Sequence, residues 1–300
     1  MHLSLALALL PLSAHAVNII IGNDDGWAEK NIRVFYEALT KANHSAMISA
    51  PAENKSGRGP LDYDPHDLTI PCEYDSCPKG SPAVGHNASE PRWNWVNGPP
   101  KTAMRYGIND IAPKIFNATP ALAVTGVNVG SNLDIAGFIS GTMHAAAYAA
   151  HDAGIPAVAF SGASGERTAF DDQTPGYSTL YADLATKLVN RLIEGGPPYL
   201  PEDTFLNVNF PKISDKCAGV DDYKFVLSRM WKATWLFSDG DANTCNSEDK
   251  RLPTERKVTD KGCFVSVSAV EAGNIRDATA TVQREVIAKL GDLLTCLPRK

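Results

Sequence analysis

The stretch Val17-Asn18-Ile19-Ile20-Ile21-Gly22, followed at once by Asn23-Asp24-Asp25-Gly26, decides the fold. A β-branched run broken by turn formers reads as a buried strand that ends in a turn. Downstream, Ile32 to Ala42 puts Val34, Phe35, Ala38 and Leu39 on one helical face. Ala46-Met47-Ile48-Ser49-Ala50 then reads as a second strand, stopped by Pro51. Strand, helix, strand is the opening of a parallel α/β sheet, because parallel neighbours need a crossover between them.

The pattern continues along the chain. Leu61 to Pro91 is rich in Pro, Asp and Cys without periodicity and reads as an irregular or β-rich insertion. Helices are expected over Thr102 to Ala112, Thr142 to Ala153 and Tyr177 to Gly195, and strands over Ala121 to Thr125, Ala157 to Ser161 and Thr204 to Phe210. Lys212 to Arg256 turns polar and reads as a hairpin arm or second subdomain. Cys263 to Val267 is a last strand, and Ala278 to Leu294 a terminal helix that docks on its own chain or on a neighbour. The expected organisation is a signal peptide at 1–16, an α/β core at 17–211 and a C-terminal part at 212–300 comprising hairpin arm, last strand and helix. No internal repeat or low-complexity tract interrupts it.

Bulk properties narrow the function. With 300 residues, 44% hydrophobic and 21% charged, the chain has ordinary globular composition. A net charge of -6 argues against a surface that neutralises nucleic-acid backbones, so a polymeric nucleic acid is excluded as partner and any nucleotide substrate is small. The apolar run Leu3 to Leu12, then Ser13-Ala14-His15-Ala16, has the form of a cleaved secretory signal rather than a buried helix, with the mature chain starting near Val17. It is too short to span a bilayer, and no later segment reads as membrane-spanning. The expected location is therefore secreted. Six cysteines, none in a Cys-x-x-Cys pair, favour disulfides over zinc. Their pairing stays open, although Cys72 and Cys77 are close enough to staple a local loop. Sequons at Asn43, Asn87 and Asn117 agree with passage through the secretory pathway.

Three clusters carry candidate chemistry. Asn23-Asp24-Asp25-Gly26 lies at the carboxyl end of strand one, where ligands bind in open parallel sheets. Adjacent carboxylates inside a strand point to opposite faces; where the chain turns, both can converge on one hard cation. Asp-Gly is also an ordinary turn signal. The second cluster, Glu53-Asn54-Lys55-Ser56-Gly57-Arg58-Gly59, again follows a strand. It offers neutral oxygens to a cation and charge to a phosphate, and reads equally as a solvated loop. In the third, Thr125-Gly126-Val127-Asn128-Val129-Gly130-Ser131-Asn132 is followed by Ser140-Gly141-Thr142-Met143-His144. Ser-Gly-Thr at a helix start presents hydroxyls and free N–H groups to a phosphate, and Ser140 or Thr142 also serves as an ordinary N-cap. His144 reads as a packing residue. Each cluster is weak alone; three at strand ends argue for one site.

These motifs resemble the SurE survival-protein family of nucleotidases and acid phosphatases, close to its secreted fungal and plant-type members. Asn23-Asp24-Asp25-Gly26, Ala50 to Gly57, and Gly126 to Asn132 with Ser140-Gly141-Thr142 carry the resemblance, which spans about residues 18 to 270. Weaker echoes are Val96 to Pro100, Gly154 to Ser161, Asn207-Val208-Asn209-Phe210-Pro211 and Thr259-Asp260. The resemblance implies an α/β fold, a Rossmann-like mostly parallel sheet with flanking helices. It also implies a β-hairpin or C-terminal subdomain exchanged in a homodimer or homotetramer. It implies a divalent cation, Mg²⁺ or Mn²⁺, held by Asp24, Asp25, Ser56 and Asn128, with hydrolysis of phosphate monoesters, often nucleoside monophosphates. On that expectation a water activated by the cation attacks phosphorus, with Asp24 and Asp25 catalytic and Asn23, Asn132, Ser140, Gly141 and Thr142 holding the small phosphorylated substrate. An aspartyl-phosphate route through Asp24 stays open, as does a secreted phosphate- or nucleotide-binding protein without turnover. No Gly-x-Ser-x-Gly elbow supports an esterase. Gly22 and Trp27 depart from the family pattern, as do Asn97 and Lys101, which bears on substrate preference.

Overall fold

The computed structural model describes residues 16–134, 136–232, 240–242, 245 and 251–298. The signal segment, apart from its last residue, lies outside them, as do residues 233–239, 243, 244 and 246–250 of the polar stretch read as a hairpin arm.

Strand β1 (Asn18–Gly22) pairs in parallel with β2 (Ser45–Pro51) after the helix α1 (Lys30–Lys41). Strand β2 pairs with β4 (Trp93–Val96), whose other edge takes the short antiparallel β3 (Val84–His86) from the insertion. After α2 (Pro100–Tyr106) and α3 (Ala112–Phe116), β5 (Leu122–Val129) returns to the opposite edge of β1. The chain then passes through α4 (Ala136–Ile139) and α5 (Gly141–Ala147) to β6 (Ala157–Gly162), and through α6 (Gly176–Glu194) to β7 (Thr204–Phe210), each strand parallel to the one before. Strand β8 (Lys224–Ser228) and helix α7 (Glu255–Thr259) precede β9 (Phe264–Glu271), which runs antiparallel to β7 and parallel to β8. A two-residue β10 (Arg276–Asp277) and the helix α8 (Ala280–Leu290) follow. The spatial order is β10-β9-β7-β6-β5-β1-β2-β4-β3, with β8 beside β9. This is an α/β, Rossmann-like, mostly parallel sheet with helices on both faces.

Strand alternation explains the two layers. Ile19 and Ile21 belong to one apolar cluster with Phe35 and Leu39 of α1 and Tyr181, Leu184 and Leu188 of α6. Ile20 points the other way, into a cluster with Met104 of α2 and Met143 and Ala146 of α5. The helix read over Thr102 to Ala112 is present and longer, running through α2, a π turn at Gly107–Ile111, and α3. At Gly107 a Cβ would lie 2.5 Å from Ile20 Cδ1, so the chain approaches the sheet more closely than a side chain allows. The helix after Ser140 likewise ends as a π turn at Tyr148–Asp152. Strand β8 escaped the sequence reading because five residues with buried Phe225, Val226 and Leu227 sit inside a polar stretch. Helix α8 docks on its own chain: Val286 and Leu290 enter the core, and Arg191 of α6 donates Nε to the Leu290 carbonyl at 2.9 Å.

Disulfides join Cys72 to Cys77, Cys217 to Cys263 and Cys245 to Cys296. Among the described residues no helix is long and apolar enough to cross a membrane.

Candidate active site

From β1 the chain builds β2 and β4 to one side and β5, β6 and β7 to the other, so the order reverses between β1 and β5. At such a switch point the loops leaving the two strands part and open a crevice beyond their carboxyl ends. The Asn23 to Gly26 turn and the loop after β5 flank it, with Gly22 beside Thr125 in register. The turn closes on itself: Asn23 Nδ2 donates to the Gly26 carbonyl at 2.8 Å, and the Gly26 N–H returns to Asn23 Oδ1 at 3.2 Å. The Asn23 amide is thus engaged in holding the turn.

Three loops meet there. Thr142 Oγ1 donates to Asp24 Oδ1 at 2.6 Å and lies 3.3 Å from Asn128 Oδ1. Asn128 spends its own Nδ2 on the Gly130 carbonyl at 2.6 Å, which leaves Oδ1 facing Thr142. Asp25 Oδ2 accepts the Val129 N–H at 2.8 Å. Gly141 is required by proximity: a Cβ would sit 2.8 Å from the Cβ of Asp24. Asp24, Asp25, Asn128, Gly141 and Thr142 therefore come together. The Lys55 N–H to the Asp24 carbonyl, 2.8 Å, ties the second loop to the turn, while Ser56 itself is exposed.

Both carboxylates are buried, at 3% and 2% exposure, and no salt bridge reaches either one among the described residues. Burial raises the pKa of Asp24, offset in part by the Thr142 hydroxyl and the amides of Thr142 and Gly141. Asp25 is driven well up by burial and by the neighbouring Asp24, against the pull of the Val129 amide. Two buried acids without a basic partner are costly, and a divalent cation removes that cost by attracting both. No group of three or more His, Cys, Asp or Glu side chains is placed to hold a metal ion together among the described residues. A cation at this turn would thus have two carboxylates and complete its shell from neutral oxygens such as Asn128 Oδ1, a donor set that suits Mg²⁺ or Mn²⁺.

Around the rim, Asn132 is fixed by its N–H to Asn209 Oδ1 at 2.9 Å and by its Nδ2 to Ser161 Oγ at 2.7 Å. Ser140 Oγ accepts the Met143 N–H at 3.2 Å, so it caps α5. His144 meets the Phe138 carbonyl at 2.9 Å through Nε2, and its pKa is lowered by burial. Gly22 leaves room for α2, since a Cβ there would lie 2.8 Å from Met104 Cε. Trp27 packs on Trp95 at 4.9 Å, with the Arg33 guanidinium over its ring. A groove of about 910 Å³ lined by Leu252, Lys257, Ile287 and Cys296 lies elsewhere, in the C-terminal part.

Sequence reasoning missed a supporting layer. Glu73, carried by the Cys72–Cys77 loop, pairs with Arg167 at 2.7 Å and lies against Gly26, where a Cβ would come within 1.8 Å of its Oε1. The flanking cysteines signalled a stapled loop but not its destination. Asn207 and Asn209 stood in a noticed motif without a role, and Glu255 gave no signal in its polar surroundings.

Known proteins resemble this chain in sequence and in fold. The family described as Survival protein SurE matches residues 19–236. An acid phosphatase of Yarrowia lipolytica is 31% identical over 293 residues, covering 87% of this chain and 81% of the relative. A 5'-nucleotidase SurE of Lawsonia intracellularis is 30% identical over 200 residues, covering 67% of this chain and 68% of its own. In fold, the crystal structure of the SurE protein from Aquifex aeolicus superposes with a TM-score of 0.58 at 20% identity, covering 90% of this chain and 98% of that one.

Proposed function

The chain belongs to the SurE survival-protein family, and we propose that it is a secreted phosphomonoesterase, an acid phosphatase or nucleoside-monophosphate nucleotidase, that works with a divalent cation. The observation that carries this reading is the pair of buried carboxylates at the switch point, without a salt bridge among the described residues: Asp24 joined through Thr142 to Asn128, and Asp25 bound to the Val129 amide.

Asp24, Asp25 and Asn128, with Ser56 from the tied second loop, are the proposed ligands. A divalent cation there supplies Lewis acidity, withdrawing charge from a phosphoryl oxygen and lowering the pKa of a water. The Thr142 hydroxyl fixes Asp24 by its proton, and the Val129 amide fixes Asp25. Asn132 and the α5 start, Ser140 to Thr142, are the proposed phosphate-side residues. Their polar groups are already oriented by hydrogen bonds, which limits reorganisation as charge develops on the phosphoryl oxygens. Secretion accords with three disulfides, and glycosylation with the exposure of Asn43 and Asn117. Assembly into a homodimer or homotetramer completes the reading.

The test is turnover of p-nitrophenyl phosphate and of nucleoside monophosphates with Mg²⁺ or Mn²⁺ and with chelator. Chelation and Asp25→Asn are each expected to abolish it while circular dichroism is unchanged. Phosphate binding without turnover in either cation would replace the enzyme by a binding protein. Wild-type turnover in a folded Asp24→Asn, Asp25→Asn double variant would remove the site.

A further inference from the structure

Resting on the proposed role of Asn132, a second set of residues accounts for how the loop that carries it is held. After β5 the chain leaves the sheet at Gly130, and Asn132 is buried at 6% exposure although no regular element contains it. Its backbone is fixed from below by β7. The carbonyl accepts from Asn207 Nδ2 at 3.2 Å and from Asn209 Nδ2 at 3.4 Å, and the N–H donates to Asn209 Oδ1 at 2.9 Å.

Asn207 is itself held. Its Nδ2 also donates to Glu255 Oε1 at 2.8 Å, and Glu255 is 1% exposed. A fully buried carboxyl is expensive, and although the Ser268 hydroxyl lies close enough to favour its charged form, Oε2 makes no hydrogen bond of ordinary length among the described residues. A cost of that kind with so little local return points to a task elsewhere. The next residue reaches the same loop from outside. Arg256 donates through Nε at 2.8 Å and through Nη2 at 2.5 Å to Asp134 Oδ2, two residues beyond Asn132. Asp134 has a φ of 54°, in the left-handed region that Asp and Asn enter more readily than other side chains.

We propose that α7 is a clasp on the phosphate loop. Glu255 holds Asn132 from beneath through Asn207, Arg256 holds Asp134 from the rim, and substrate affinity depends on a helix far away in sequence. Both are positioning residues; neither touches the proposed phosphate. The clasp is separate from the cation ligands, so its loss lowers affinity for phosphate and leaves cation affinity intact. Asn207 and Asn209 belong to one strand and cannot shift independently of the sheet. Asp134 carries no such constraint, and the Arg256 contact is the one that closes the loop end.

The experiment uses the full chain loaded with Mn²⁺ and inorganic phosphate as the probe. Arg256→Ala and Asp134→Ala should each weaken phosphate binding in calorimetry and raise KM for p-nitrophenyl phosphate by about fivefold, with kcat and the Mn²⁺ dissociation constant within about twofold. The exposed pair, with side chains 58% and 46% accessible, contributes little to stability, so the melting temperature should hold. The charge swap, Arg256→Asp with Asp134→Arg, should recover most of the lost affinity. Glu255→Gln, which keeps the acceptor for Asn207, should behave as wild type, whereas Glu255→Leu should lose phosphate affinity. Should Glu255→Leu fail to fold, the rim pair decides alone. Wild-type phosphate affinity in both alanine variants, or a swap no better than the singles, overturns the clasp. Absence of both turnover and phosphate binding in the wild type overturns the proposed function, and the clasp with it.

Discussion

Gly26→Ala tests whether the disulfide-stapled insertion supports the cation turn. Gly26 has a φ of 121°, in a region open to glycine and strained for alanine. The strain alone costs about 1 to 3 kcal/mol. A Cβ at that position would lie 1.8 Å from Glu73 Oε1 and 2.3 Å from its carboxyl carbon, far inside van der Waals contact. Glu73 must then withdraw and give up the 2.7 Å bond from Arg167, a charge-assisted hydrogen bond whose Glu73 side is 8% accessible and whose loss costs about 1 to 3 kcal/mol. The sum is a large share of a stability of about 5 to 15 kcal/mol. The two contributions separate in a cycle with Glu73→Ala. In that background the added methyl meets no carboxylate, so Gly26→Ala should cost only the backbone strain, and the coupling energy should be about 1 to 3 kcal/mol. Urea unfolding of all four proteins in chelator measures it. Because Asp25 is adjacent, Mn²⁺ affinity should fall about 10- to 100-fold in Gly26→Ala, the usual effect of losing support behind a ligand. Additive energies within about 0.5 kcal/mol, or unchanged Mn²⁺ affinity, would refute the idea that Glu73 and the turn form one unit.

Burial raises Glu29 to about 7 and Glu255 to about 8 from an ordinary 4.5. Between pH 4.5 and 8 the folded protein therefore holds protons that the unfolded chain has released, and stability in chelator should fall as pH rises through that window. Glu255 accounts for up to about 5 kcal/mol of the fall. Urea midpoints at pH 5, 6.5 and 8 check it, and Glu255→Gln should flatten the upper part; a midpoint that rises across the window contradicts the assignment. Removing the Cys72–Cys77 bridge by serine substitution should cost about 2 kcal/mol, as expected for so short a loop, and should weaken Mn²⁺ binding by loosening Glu73. Unaltered Mn²⁺ affinity in the folded serine variant would count against that coupling.

What the sequence reveals and what it hides divide along one physical line. Periodicity and turn chemistry are local, and β1 with its Asn-Asp-Asp-Gly turn, β2, β7 and α6 are all legible from them to within a residue or two. Asp24, Asp25 and Asn128, which the fold brings to one place, are marked for the same reason, since they stand at or near strand ends, whereas Ser56 is exposed. Hydrogen-bond allocation is not local. Asn23, read as a substrate contact, spends its amide closing its own turn. Ser140 caps a helix, and Thr142 turns its hydroxyl on Asp24, a partner 118 positions away. Glu73 and Glu255 have no periodic neighbours to mark them; only the folded chain brings them beneath the loops. The helices expected over Thr102 to Ala112 and Thr142 to Ala153 are present, but each contains a π turn, at Gly107–Ile111 and Tyr148–Asp152, that the spacing of apolar residues does not announce.

The buried acids carry the last step. Asp24, Asp25, Glu29, Glu73 and Glu255 all have pKa values raised by burial, and together they load the interior with groups that favour being neutral. A fold selected for stability alone would replace such acids with packed apolar side chains. Four of the five crowd around the turn between β1 and α1, and the fifth lies under the loop that flanks it. On the proposed function the cost has a use. Carboxylates that repel one another without a cation bind one more avidly, so stability and catalysis draw on the same charge. The coupling also sets a limit at low pH, where protonation stabilises the fold and at the same time competes with the cation for the same oxygens. A phosphatase built this way works in acid only as far as its cation outcompetes protons at Asp24 and Asp25.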